Sequence, residues 1–224
     1  MIKCPPVSQT RIAIWGDSLA YAWSPLVWQL DPHASALSRD GCQPYLGHLP
    51  AKPYPADLKC RDFNALVTAK VRGLDTLVLV GRWNVANVGY LRPTLDAVAP
   101  DVRHVFVLGP TPKLHAEAGR CIRQHAEAAC ALPRSEFDAM AEPILASLRA
   151  SAAPHPNVTI VDMTDSFCTP VSCPVMLHDM PLYWDAYHVS SSVAKSFELP
   201  AEISRRQQRV RARETHAEAG AAAW

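Results

Sequence analysis

Four short runs of branched and apolar residues set the frame of this chain: Arg11–Gly16 (RIAIWG), Asp75–Gly81 (DTLVLVG), His104–Pro110 (HVFVLGP) and Val158–Met163 (VTIVDM). None alternates apolar with polar residues. Each therefore reads as a strand buried on both faces, which requires a parallel sheet covered by helices. Between and after them lie segments with helical spacing: Ser18–Leu30, Asp62–Arg72, Arg92–Ala99, Leu114–Ala131, Ser135–Ala152 and Ser191–Leu199. Strand alternates with helix throughout. The expected fold is α/β, a three-layer α/β/α, doubly wound (flavodoxin-like) arrangement around a mainly parallel sheet. In such sheets the chemistry sits at the carboxyl ends of the strands, where Ser18, Gly81–Asn84 and the segment after Met163 should converge.

With 224 residues, 49% of them hydrophobic, the chain suits one domain, expected over residues 1–204. Arg205–Trp224, rich in Arg, Glu, Gln and Ala, reads as a basic, flexible tail. Lys plus Arg number 22 against 21 Asp plus Glu, so no bulk field favours a nucleic-acid partner. No apolar run reaches the roughly 18 residues that would span a bilayer, and the N-terminus lacks the pattern of a signal peptide. A strand that ends before residue 18 leaves almost no room for a leader or linker, so the chain reads as part of something longer upstream.

Seven cysteines are many for a reduced compartment. Six group by proximity as Cys42 with Cys60, Cys121 with Cys130, and Cys168 with Cys173, leaving Cys4 over. Connectivity stays open, since six cysteines allow about 15 pairings, and buried free thiols are the alternative. The spacings are not those of a zinc site, so neither a metal nor a cofactor is expected. Asp31–Cys60, rich in Pro, Gly and His, shows no period and reads as an irregular loop, a usual place for substrate contacts. Asn157-Val158-Thr159 has the form of a glycosylation sequon but opens a strand, and is read as chance.

Two motifs carry chemistry. Gly16-Asp17-Ser18-Leu19 follows a buried strand and opens a helix, which puts the Ser18 hydroxyl at a strand end and its N–H among the free donors of the helix terminus. The bland reading is a helix cap. Near the other end, Asp185-Ala186-Tyr187-His188 lets the carboxylate reach the imidazole Nδ1 while Nε2 stays free to take a serine proton. On its own that motif is an ordinary polar loop. Of the other histidines, His48 and His178 lie in loops near this expected site and are candidates for touching substrate.

Together the motifs resemble the SGNH (GDSL-like) hydrolase superfamily, with its early G-D-S and its D-x-x-H near the C-terminus. The chain looks most like the periplasmic SGNH domain fused behind the membrane acyltransferase-3 domain of bacterial polysaccharide O-acetyltransferases. The similarity runs through Gly41-Cys42, Gly81-Arg82-Trp83-Asn84, the pair Cys168 and Cys173, and Leu182–Ser190. It implies an SGNH hydrolase fold, Ser18 as nucleophile, His188 as base and Asp185 as its orienting partner. It also implies an oxyanion hole from the N–H groups of Ser18 and Gly41 and a side-chain amide of the third block. Trp83 occupies the usual Asn position there, so Asn84, one residue late, is the candidate, with Asn87 as a weaker substitute.

The resemblance implies acyl (acetyl) transfer to or from hydroxyls of a cell-envelope glycan such as polysaccharide or lipopolysaccharide, in the periplasm, beside a membrane acyltransferase-3 partner. Alternatives are a free-standing carbohydrate esterase or deacetylase, a non-catalytic glycan-binding module, and, if every cysteine is reduced, a cytoplasmic esterase.

Overall fold

The computed structural model of the chain describes residues 11–47 and 54–200. Cys4, His48, His216 and the expected tail, Arg205–Trp224, lie outside the described residues. Strands β1 (Ile12–Gly16), β2 (Ser35–Ser38), β3 (Thr76–Val80), β4 (His104–Leu108), β5 (Leu132–Pro133), β6 (Val158–Val161), β7 (Ser172–Cys173), β8 (Met176–Leu177) and β9 (Met180–Pro181) alternate with helices. The helices are α1 (Ser18–Leu30), α2 (Pro55–Lys70), α3 (Leu91–Val98), α4 (Ala118–Arg123), α5 (Glu127–Cys130), α6 (Arg134–Ala152), α7 (Thr164–Phe167) and α8 (Ser191–Ser196). Five strands make one all-parallel sheet in the order β2-β1-β3-β4-β6. Helices flank it, as the alternating pattern requires.

The central strands β1 and β3 are buried at every position. β6 is half-buried, because it is the edge of the sheet and has a neighbour on one side only. Its first neighbour in sequence, Asn157, donates Nδ2 to the carbonyls of Ala99 (2.8 Å) and Val102 (2.7 Å), so the sequon side chain has a structural task.

Several elements depart from the sequence reading. β2 lies inside the stretch read as irregular: SALS has no strand pattern of its own and is extended because it pairs with Ala13–Gly16 of β1. α2 begins seven residues before the expected Asp62, where Pro55 supplies a preset φ and Asp57 accepts from the Tyr54 N–H at 2.8 Å. Leu114–Ala131 is two short helices and not one, broken at His125, whose φ of 50° lies in the left-handed region. α8 stops at Ser196, three residues before the expected Leu199. α1 runs through Pro25, which has no N–H for the Tyr21 carbonyl; the Ser24 hydroxyl donates to it instead, at 2.7 Å.

Three disulfides join Cys42 to Cys60, Cys121 to Cys130 and Cys168 to Cys173. Replacing Cys42 and Cys60 together by serine is expected to cost about 3 kcal/mol for a loop of this length. That lowers Tm by on the order of 10 °C in a domain of this size, read by thermal unfolding. An unchanged Tm would mean that the bridge constrains little of the unfolded chain.

Candidate active site

Ser18 leaves the carboxyl end of β1, in the middle of the sheet, where the chain turns to β2 on one side and β3 on the other. A β-carbon at Gly16 would fall inside the Val80 carbonyl of β3, so only glycine lets the two strand ends approach there. Asp17 caps α1, accepting from the Leu19 N–H at 2.9 Å with one oxygen. Its other oxygen accepts from the Arg82 N–H at 2.8 Å, tying the Ser18 turn to the loop after β3. Burial pushes the Asp17 carboxyl above its ordinary value, against the lowering effect of those two N–H groups. Capping therefore falls to Asp17, and the Ser18 hydroxyl is left for other work.

That hydroxyl lies 2.9 Å from His188 Nε2, across 170 residues of sequence. His188 Nδ1 lies 2.5 Å from Asp185 Oδ2. A carboxylate only accepts, so the ring proton sits on Nδ1 and Nε2 is the acceptor facing Ser18. The other Asp185 oxygen accepts from the N–H groups of Tyr187 (2.8 Å) and His188 (2.7 Å), which folds the turn around its own carboxylate. The Trp184 N–H donates to the His188 carbonyl, and Tyr183 bridges to Val189. From outside the turn, Leu114 and Ala118 donate to the carbonyls of Ala186 and Asp185. His188 is buried.

Burial alone would raise the Asp185 carboxyl, but the N–H groups of Tyr187 and His188 and the His188 ring outweigh it and hold its pKa below the ordinary carboxylate value. The folded chain then binds this proton less readily than the unfolded chain. The resulting stability is full above the ordinary carboxylate range and is lost as pH falls through the lowered value. Asp185→Asn is expected to lower unfolding midpoints in urea at neutral pH, with the gap to the unaltered chain closing in acid. A gap independent of pH would refute this account.

Gly41, at φ +71°, lies in the loop after β2, where Arg39 donates to the Gly16 carbonyl at 3.2 Å. The loop is braced on several sides. Cys42 is bonded to α2, and Asn64 of α2 donates to the carbonyls of Gln43 (2.8 Å) and Tyr45 (3.0 Å) while accepting from the Trp15 indole at 3.2 Å. Thr94 of α3 holds Leu46 N–H and the Pro44 carbonyl, and the Tyr45 hydroxyl reaches Asn87 Oδ1 at 3.1 Å. In the loop after β3, the Trp83 indole is buried and donates to the Leu108 carbonyl at 2.7 Å, so it has no proton left for a substrate. Asn84 is exposed, and its Oδ1 accepts from the Asn87 N–H at 3.1 Å. That contact leaves the Nδ2 end as its donor.

His178 sits at the tip of the β8–β9 hairpin, where it and Asp179 take φ of 48° and 61°, the left-handed pair that a two-residue hairpin turn needs. Sequence reasoning passed over Asn64 and Thr94, whose only signal is being polar within helices. It also passed over Arg82 and Trp184, which sit inside the quoted motifs at positions to which no role was given.

The chain matches, over residues 3–198, the family described as the SGNH domain (fused to AT3 domains). No curated protein matches it. Among solved structures it is similar to the C-terminal catalytic domain of Streptococcus pneumoniae peptidoglycan O-acetyltransferase A (OatA), solved with a methylsulfonyl adduct. Identity there is 14% and the TM-score 0.40, over 83% of this chain and 87% of that one. It is also similar to a Streptococcus pneumoniae protein described as a platelet activating factor, at 10% identity and a TM-score of 0.43, over 84% of this chain and 79% of that one. The match over nearly all of the described residues decides the family: the chain belongs to the SGNH domains that occur fused to AT3 domains.

Proposed function

We propose that the chain transfers acyl groups, acetyl in the first instance, to or from hydroxyls of a cell-envelope glycan through an ester on Ser18. The observation that carries this reading is the unbroken line from Asp185 through His188 to the Ser18 hydroxyl, at 2.5 and 2.9 Å. His188 Nε2 takes the Ser18 proton as Oγ attacks the carbonyl carbon of an ester or thioester, and Asp185 stabilises the imidazolium. The negative charge on the carbonyl oxygen is met by the N–H groups of Ser18 and Gly41, with Asn84 Nδ2 as the third donor. As the first residue of α1, Ser18 has an N–H with no carbonyl of its own helix to bind. The C–O or C–S bond then breaks, and the leaving group departs with the proton from His188. In the second half a glycan hydroxyl gives its proton to His188 and attacks the acyl-enzyme, and Ser18 recovers its proton.

The catalytic unit on this reading is residues 1–204. The three disulfides favour an oxidising compartment, the periplasm. The family's fusion to AT3 domains favours a membrane acyltransferase as the source of the acyl group. Among the described residues no helix is long and apolar enough to cross a membrane.

The test is to quench the chain shortly after mixing with p-nitrophenyl acetate and weigh its peptides. One acetyl on the Ser18 peptide is expected, decaying faster with an oligosaccharide present and yielding the sugar ester. Decay to free acetate regardless of sugar would make the protein an esterase. An unmodified Ser18 peptide throughout turnover would sink the reading.

A further inference from the structure

Around His188 the described residues gather planar side chains that the acyl-transfer chemistry does not use. The Trp184 ring stacks on the His188 ring, with centroids 5.4 Å apart and planes 28° apart, yet Trp184 is 66% exposed. Tyr187 packs on the same imidazole, at 4.2 Å. The Arg82 guanidinium lies over the Tyr187 ring, 5.1 Å from its centroid. Arg82 is exposed, and its charge acts on the Asp17 carboxyl, whose pKa it helps to lower. Its backbone N–H is the one that Asp17 accepts, so its place next to the Ser18 turn is fixed.

Leaving a tryptophan in water forfeits the free energy its burial would give. An exposed indole stacked on the His188 imidazole presents a flat apolar face beside the Ser18–His188 pair. The C–H face of a pyranose ring suits such a surface, as the sugar's hydroxyls point outward to water. Arg82 adds what a neutral sugar would not need. A guanidinium held over an aromatic ring keeps its charge and offers paired N–H donors, whose geometry matches a carboxylate.

We propose that Trp184 and Arg82 form the acceptor subsite of this centre and that the sugar they select carries a carboxylate, as uronic-acid units do. The ring lies on Trp184 and its carboxylate pairs with Arg82, which leaves a ring hydroxyl directed at His188. This rests on Ser18 and His188 being the reacting pair, and it names the substrate class of that site.

Binding is measured by calorimetry, with tetragalacturonic acid and its full methyl ester as probes, because the two share one sugar backbone and the ester removes the carboxylate charge from each ring. The unaltered chain is expected to bind the acid at least about tenfold more tightly, the worth of one charge-assisted contact, with the margin shrinking in high salt. Arg82→Gln should remove that margin and leave binding of the ester as it was. Trp184→Ala should weaken both probes together. Equal binding of acid and ester by the unaltered chain, or a margin that survives Arg82→Gln, would overturn the proposal. Thermal unfolding of each variant checks that it is folded. The Ser18 acetylation assay is read separately, so failure of the acyl-enzyme reading and failure of the subsite give different results.

Discussion

Ser18→Ala is expected to lower the rate of p-nitrophenyl acetate hydrolysis by about 10⁴-fold or more, the scale at which a serine nucleophile operating with a histidine is missed. The loss should appear in kcat. Among the described residues the one side-chain partner of the Ser18 hydroxyl is His188 Nε2, so the substitution removes a single part-buried contact and Tm should scarcely move. Asp185→Asn keeps the shape of the turn, its amide oxygen still accepting from the Tyr187 and His188 N–H groups, but its NH2 faces His188 Nδ1 and favours the wrong ring tautomer, and a fall of roughly 10³- to 10⁴-fold is expected. The two changes act on one proton path, so the double variant should be little slower than Ser18→Ala alone. Equal rates for Ser18→Ala and the unaltered chain would place the reacting group elsewhere.

Gly16→Ala should be equally damaging by another route. The added methyl group meets the Val80 backbone carbonyl, which belongs to the neighbouring central strand and has no rotamer through which to escape. β1 and β3 must separate at the point from which Asp17 reaches Arg82, so the hydrogen bond that joins the two site loops is strained as well. A loss on the order of 3 kcal/mol or more is expected, at the upper end for added volume in a packed core. Denaturant unfolding reads the stability. Activity measured far below the new midpoint should still be reduced, because the turn carrying Ser18 has moved. A variant with unchanged stability would mean that the strand ends yield freely.

The order of the fold could be read from the sequence because the buried strands announce themselves: β1, β3 and β4 are short apolar runs with no alternative periodicity. β2 could not be read, since Ser35–Ser38 becomes a strand by borrowing the backbone of β1, and that dependence leaves no mark on its own residues. The same holds for Asn64 and Thr94, which fix the Gly41 loop through carbonyls distant in sequence. The motifs around Ser18, Asp185 and His188 could be picked out because part of each is a local turn, with side-chain bonds between residues two or three apart, whereas the longer bonds to Arg82, Leu114 and Ala118 leave no mark on the sequence. Trp83 stood out in sequence as occupying the place of an asparagine. Its bond to the Leu108 carbonyl gives it a bracing task between the ends of β3 and β4. Arg82 and Trp184 carry no pattern at all, and only the stacking around His188 brings them into view.

The 170 residues that separate Ser18 from His188 have a consequence for biosynthesis. A ribosome that has delivered Ser18 and most of the sheet has not yet delivered His188. Until Tyr183–Val189 closes and α8 docks beside α1, through Phe197 against Trp23, the emerging polypeptide has a serine without a proton acceptor. If Ser18 acts through His188 as proposed, an interrupted translation product is expected to be inert toward activated acyl donors, however well its first four strands have assembled.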